Sequence, residues 1–291
     1  MKLPAPAAPR GDLADAALPT HVTQPRPPWL RPFVAGKRFV GKTWTIVALE
    51  ARKLRHDPTE LFTRAVQPAL WLLIFGEVFS HIRAIPTGNK PYIDFMAPGI
   101  LAQSVLFIAI FAGIAIIWER DLGVVHKFLA SPTPRTALVL GKALSSGVRG
   151  LAQAVIIYLL AALLGVQVNL NPLALLGVIV IVVLGAACFS TFSLIIACLV
   201  KSRERFMGIG QVLTMPLFFA SNAIYPVSIM PGWLQVIARA NPLSYMVDAL
   251  RSLMLVGGAI TSALALDFGV MLVATFALVL IGAALYPRVV R

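Results

Sequence analysis

Six long apolar runs constrain this chain more than any motif in it. They read as about Leu61–Ile82, Phe95–Trp118, Ala143–Val166, Leu173–Val200, Phe206–Pro226 and Phe268–Tyr286. A helix rising 1.5 Å per residue needs roughly 20 such residues to cross ~30 Å of hydrocarbon, so each run is long enough to span. The first carries Arg64 near its start and Glu77 near its far end, the third carries Arg149 in its first turns, and the others are uncharged. Across 291 residues, 58% are hydrophobic and only 13% charged, where a soluble domain has about 25% charged. The expected class is an all-α integral membrane protein with six transmembrane helices.

The net charge of +13 follows topology and not nucleic acid. With the N-terminus inside, only Arg83, Lys90, Arg239 and Arg251 fall outside and Arg149 lies within a span. Every other lysine and arginine is then cytoplasmic, as the positive-inside rule requires. Residues 1–38 are rich in proline and poor in clustered apolar residues, which predicts a disordered basic cytoplasmic tail. Lys42–His56 is amphipathic, with Trp44, Val47, Ala48, Ala51 and Leu54 at helical spacing, and predicts a helix lying in the interface among anionic lipids. Asp57, Pro58 and Glu60 then form a helix-start signal. The histidines are scattered without metal-ligand spacing, and Cys188 and Cys198 are ~15 Å apart along one helix, too far for a disulfide.

Two connecting segments carry unusual chemistry. The first, Trp118–Lys142, opens with Glu119, Arg120 and Asp121, turns at Gly123, and continues as a short amphipathic stretch. There Val124, Val125, Phe128 and Leu129 share one side while His126 and Lys127 point away. Pro132 and Pro134 end it. Such a helix can rest on the bilayer, dock into a partner's groove, or be a solvated connector. The second segment, Ile224–Val256, is apolar for an external loop. Pro231, and then Asn241 with Pro242, are placed to start two short helices, and Asp248 and Arg251 can pair on one face of the second. Neither helix is long enough to span, so both are expected to dip back into the outer leaflet as a gate.

No glycine-rich phosphate loop ending in Gly-Lys-Ser or Gly-Lys-Thr is present, so ATP hydrolysis is not expected of this chain. Gln211, Thr214, Ser221 and Asn222 of span five, with Phe218, can line a pathway or simply bond between helices. Few aromatic residues are expected to face a pathway. Arg149 is expected near the inner boundary, snorkelling to head groups.

The ERDLG turn, the SPTPR break and LGK at the start of span three resemble the cytoplasmic loop of type-2 ATP-binding-cassette (ABC-2) exporter permeases. The run PLFFASNAIYPVSIMPGWLQVIARANPLSYMVDALR is similar to that family's external region, above all in its daunorubicin-resistance and nodulation-factor-export branches. The similarity covers roughly residues 40–287, which makes 39–291 a single six-span permease domain after the tail. The resemblance implies export of a hydrophobic or amphipathic compound from a bacterial cytoplasmic membrane, with both termini inside. It further implies a dimer of permease copies, a homodimer by this reading or a heterodimer with a sister permease, with two copies of a separate ATPase. ATP and magnesium belong to that ATPase, and no cofactor is expected on this chain. Under the resemblance Glu119–Leu129 becomes the coupling helix, in which Glu119 caps the short helix or pairs with a cation on the partner. Polysaccharide or lipo-oligosaccharide export is the alternative cargo class, and a membrane-embedded enzyme or sensor is the alternative of another kind.

Overall fold

The computed structural model describes residues 59–82, 91–125, 135–200, 202–257 and 262–287, with positions 41, 45, 48 and 52 standing alone. The tail 1–38 and most of Lys42–His56 lie outside these residues. Gly41, Thr45, Ala48 and Arg52 are helical, and the Thr45 hydroxyl donates to the Gly41 carbonyl at 2.9 Å.

Among the described residues the chain is helical without a strand. Helix α1 (Thr59–Leu70) runs through a π-helical turn (Trp71–Phe75) into α2 (Gly76–Ile82). Then follow α3 (Tyr92–Asp121), α4 (Arg135–Leu163), α5 (Pro172–Leu199), α6 (Arg203–Phe219), α7 (Gly232–Ala240), α8 (Pro242–Met254) and α9 (Ser262–Leu285). Four of them, α3, α4, α5 and α9, are long and apolar enough to cross a membrane.

Helix α5 sits at the centre, against α3, α4, α8 and α9. Its run Gly185–Ser193 is mostly small residues and largely buried, so neighbouring backbones can come close. At Gly177 a Cβ would lie 2.9 Å from Leu253 Cδ1, so this glycine makes the seat for α8. The larger core joins α3, α4, α5 and α8 through fully enclosed side chains such as Ile100, Leu106, Ile157, Ile181 and Leu250. A second core near the Asp121 end contains Ile117, Val125, Val139, Phe206 and Tyr286. Large apolar side chains such as Leu159, Leu176, Val273 and Phe276 point outward. In water such a surface would aggregate, whereas in lipid it is matched.

Several boundaries differ from the sequence expectation. Span three begins at Arg135, not Ala143, so Arg149 stands in the middle of the 29-residue α4. Span five is expected to reach Pro226, yet α6 ends at Phe219 after 17 residues. There the helical ladder gives way to a turn: the Ser221 N–H reaches the Phe218 carbonyl at 3.2 Å, the Ser221 hydroxyl donates to the same carbonyl at 2.6 Å, and the Asn222 amide donates to Asp248 of α8. Ser221 and Asn222 therefore lie in a turn rather than on the span.

Candidate functional site

Helix α3 has 30 residues, which makes it a rod of ~45 Å, and each end carries a polar assembly. At the C-terminal end Glu119 accepts a short hydrogen bond from Lys142 of α4, with both side chains about four-fifths buried. Asp121 accepts from Arg203 at the start of α6 at 2.7 Å and from Arg120 at 3.1 Å. The Arg203 guanidinium lies 4.0 Å from the centre of the Trp118 ring. Arg120 also reaches the Val200 carbonyl at 3.4 Å, so the ends of α3, α4, α5 and α6 are tied together.

Gly123 has φ +71°, in the left-handed region a tight turn needs. Val125 is completely buried, so this part of the expected apolar side packs into the bundle itself. Lys127, Phe128 and Leu129 lie outside the described residues. Glu119 was expected at the end of the second span, and the helix does end close by at Asp121, but its intrachain cation was not foreseen. Lys142 is 23 positions away, and no helical spacing connects the two. The only signal was that a lysine enters span three beside the same loop.

The opposite end gathers the short helices. Pro231 precedes α7, and the Asn241 side chain caps α8 by accepting from the Leu243 N–H at 3.0 Å, with Pro242 in the first helical position. The Asn241 amide also donates to the carbonyls of Leu217 and Ala220, at 2.7 and 3.1 Å. Asp248 and Arg251 pair at 3.0 Å as their spacing predicts. Arg251 extends further: it donates to the Asn222 carbonyl at 2.9 Å and stacks 3.9 Å from the centre of the Phe95 ring. Asn222 donates to Asp248 at 2.6 Å.

Partial burial pushes the Asp248 carboxyl above its usual range, against the lowering by Arg251 and the Asn222 amide. Burial brings Arg251 down to about 10, with Asp248 opposing, so the guanidinium remains charged at neutral pH. Tyr92 of α3 donates to the Ile224 carbonyl at 2.9 Å, which secures the same turn from below. Helix α8 is buried against α3, α5 and α9, whereas α7 leaves Trp233 and Val236 open.

Of the α6 residues singled out from sequence, only Gln211 is exposed. Thr214 gives its hydroxyl to the Gly210 carbonyl at 2.6 Å, Phe218 is fully enclosed, Ser221 bonds back to the Phe218 carbonyl, and Asn222 bonds to Asp248 of α8. Aromatic rings are more organised than expected. Trp71 and Phe75 stack at 4.5 Å, and the series continues through Phe79 and Tyr92 to Phe95. From Trp71 it branches to Phe218 at 6.1 Å and Phe219 at 6.4 Å. These rings come from separate elements and meet only in the fold. Arg149 stands in the middle of α4. It lines a cleft of about 30 Å³ with Lys142, Ser145, Ser146, Ser190 and Thr191, because α4 starts two turns earlier than its apolar run.

A lipid-matched helical bundle with polar assemblies at both ends of one rod belongs to the class of polytopic membrane proteins. The family model for the ABC-2 type transporter matches residues 41–255, and the chain belongs to that family. It is 29% identical over 221 residues, 74% of each chain, to a putative transport permease, ycf38, of Cyanophora paradoxa. It is 27% identical over 200 residues to the daunorubicin resistance ABC transporter permease protein DrrB1 of Streptomyces coeruleorubidus, covering 69% of this chain and 70% of that one. Nodulation protein J of Rhizobium leguminosarum bv. trifolii is 27% identical over 170 residues, covering 58% of this chain and 64% of that one.

Proposed function

We propose that this chain is the permease subunit of an ATP-binding-cassette exporter, driven by a separate cytosolic ATPase and moving a hydrophobic or amphipathic compound outward. The observation that carries this reading is the ABC-2 type match over residues 41–255, which takes in both polar ends of α3. The subunit has six spans, counting α1–α2 and α6 with the four long helices, and both termini are cytoplasmic. It sits in a bacterial cytoplasmic membrane and works as a homodimer, since each copy offers one coupling loop to a two-ATPase motor.

In this mechanism the loop 119–129 seats in the ATPase, and closure of the ATPase pair pushes on the end of α3. The Glu119–Lys142 and Asp121–Arg203 pairs pass the push to α4 and α6. At the far end Arg251 and Asn222 hold α8 and the α6 turn to α3, so displacement of the rod opens α7 and α8 as the outer gate. Glu119 acts here through its own chain's lysine, and its free oxygen remains available to a second donor.

The aromatic ladder from Phe95 to Phe219 favours a second reading, because ring faces also bind sugars: export of a polysaccharide or lipo-oligosaccharide. Reconstitution with the ATPase in proteoliposomes separates the two. ATP-driven movement of a polycyclic lipophilic dye, unaffected by oligosaccharide, is the expected result; movement of a lipid-linked oligosaccharide alone reverses the cargo class. The same preparation gives the stoichiometry, expected as two permeases to two ATPases, and a stable complex with one permease refutes the dimer.

A further inference from the structure

Tyr286 follows directly on α9, and its ring is completely buried in the core at the Asp121 end of the bundle. Its hydroxyl is also buried and, among the described residues, has no hydrogen-bond partner. A buried hydroxyl left so forfeits its bonds to water, at a cost that packing alone does not return. Nearby, Glu119 presents the complementary deficit. One carboxylate oxygen takes the Lys142 ammonium, while the other, Oε2, is buried and unpartnered. The two are brought together by packing: Tyr286 shares one buried cluster with Ile116 and Ile117 of α3 and with Leu138 and Val139 of α4, about one turn before Glu119 and Lys142. A phenol O–H and a carboxylate oxygen are a donor and an acceptor that satisfy each other in a charge-assisted bond.

We infer that Tyr286 is a positioning residue whose hydroxyl donates to the free oxygen of Glu119 through one bridging water, and so completes a Lys142–Glu119–Tyr286 knot joining α4, α3 and the end of α9. The geometry gives the knot a function that Lys142 alone cannot supply. A carboxylate held at one oxygen can still swing about that contact, whereas one held at both oxygens fixes the rotation of the last turn of α3. That turn leads straight into Gly123 and the loop. With the knot closed, the loop and the terminal helix move as one piece, so a push on the loop reaches α9 as well as α4.

This inference rests on the exporter reading for its consequence, but not for its geometry. Two measurements keep those apart. The first uses the reconstituted complex and compares wild type, Tyr286→Phe, Glu119→Ala and the double variant. Tyr286→Phe keeps the ring and its packing. It should assemble with the ATPase and hydrolyse ATP without cargo at a rate within about twofold of wild type. The cargo molecules moved per ATP should fall about fivefold, the size of one lost hydrogen bond, and 3-fluorotyrosine at 286, which restores the donor, should recover the yield. The double variant should be no worse than Glu119→Ala. Wild-type yield in Tyr286→Phe, or losses that multiply in the double variant, overturns the inference.

The second measurement is thermal melting of the permease alone in detergent for the same four proteins. Melting shifts of Tyr286→Phe and Glu119→Ala should be non-additive, and additive shifts overturn the knot. If wild type moves no cargo on ATP, the exporter reading fails, and this second cycle still decides whether the knot exists.

Discussion

Glu119 is held by its own chain before any partner arrives. The Lys142 ammonium neutralises it where both side chains are about four-fifths buried, so removing one partner strands the other. Lys142→Ala leaves a carboxylate with no cation and should cost on the order of 3 kcal/mol. Replacing both residues by alanine should cost less than the two single losses together. Melting of the purified permease checks both, and an unchanged melting temperature for Lys142→Ala would mean the pair is a surface contact. Arg251 is the counterpart at the other end, reaching Asp248, Asn222 and the Phe95 ring from one guanidinium. These two residues differ in legibility. Asp248 and Arg251 share a helix face and were readable from spacing, whereas Glu119 and Lys142 belong to different helices and became a pair only through packing.

At the level of elements, the turn after α6 depends on how closely α3 approaches it. A Cβ on Gly99 would stand 2.8 Å from the Cα of Ala223, a backbone atom that cannot rotate away. Gly99→Ala should therefore push the turn off α3 at a cost of about 1–3 kcal/mol. It should also expose a cysteine placed at Ala223 to a membrane-permeant thiol reagent. Unchanged stability together with an unreactive Cys at 223 would show that the contact relaxes without consequence.

The short helices α7 and α8 were legible because proline and asparagine mark helix starts by their own chemistry, independent of neighbours. The end of α6 was not. Its apolar run continues past Phe219 without a break in hydropathy, and the helix stops because Ser221 and Asn222 find partners in the turn and in α8. Tertiary bonds, unlike caps, leave no trace in local composition. The early start of α4 has the same origin. Arg135–Lys142 is too polar to read as membrane, yet Leu138 and Val139 pack into the core at that end.

For the molecule as a whole, hydropathy gave the class, charge gives the proposed orientation, and four helices among the described residues are long and apolar enough to cross a membrane. The topology is open to direct labelling. Single cysteines at Asn89 and Asn169 should react with an impermeant thiol reagent from outside, and one at Ser202 should not. Reaction of Ser202→Cys from outside would reverse the orientation and remove the loop from the ATPase's reach. With that orientation, force in the proposed mechanism enters at the loop 119–129 and travels along α3.

The most direct test measures ATPase pull-down, cargo-stimulated ATP hydrolysis and transport in proteoliposomes for Glu119→Ala and Phe128→Ala. Glu119→Ala should retain the ATPase while transport and stimulated hydrolysis fall together, and Phe128→Ala, having lost an apolar anchor, should bind the ATPase more weakly. Normal transport by both variants would contradict the account and leave the loop a solvated connector.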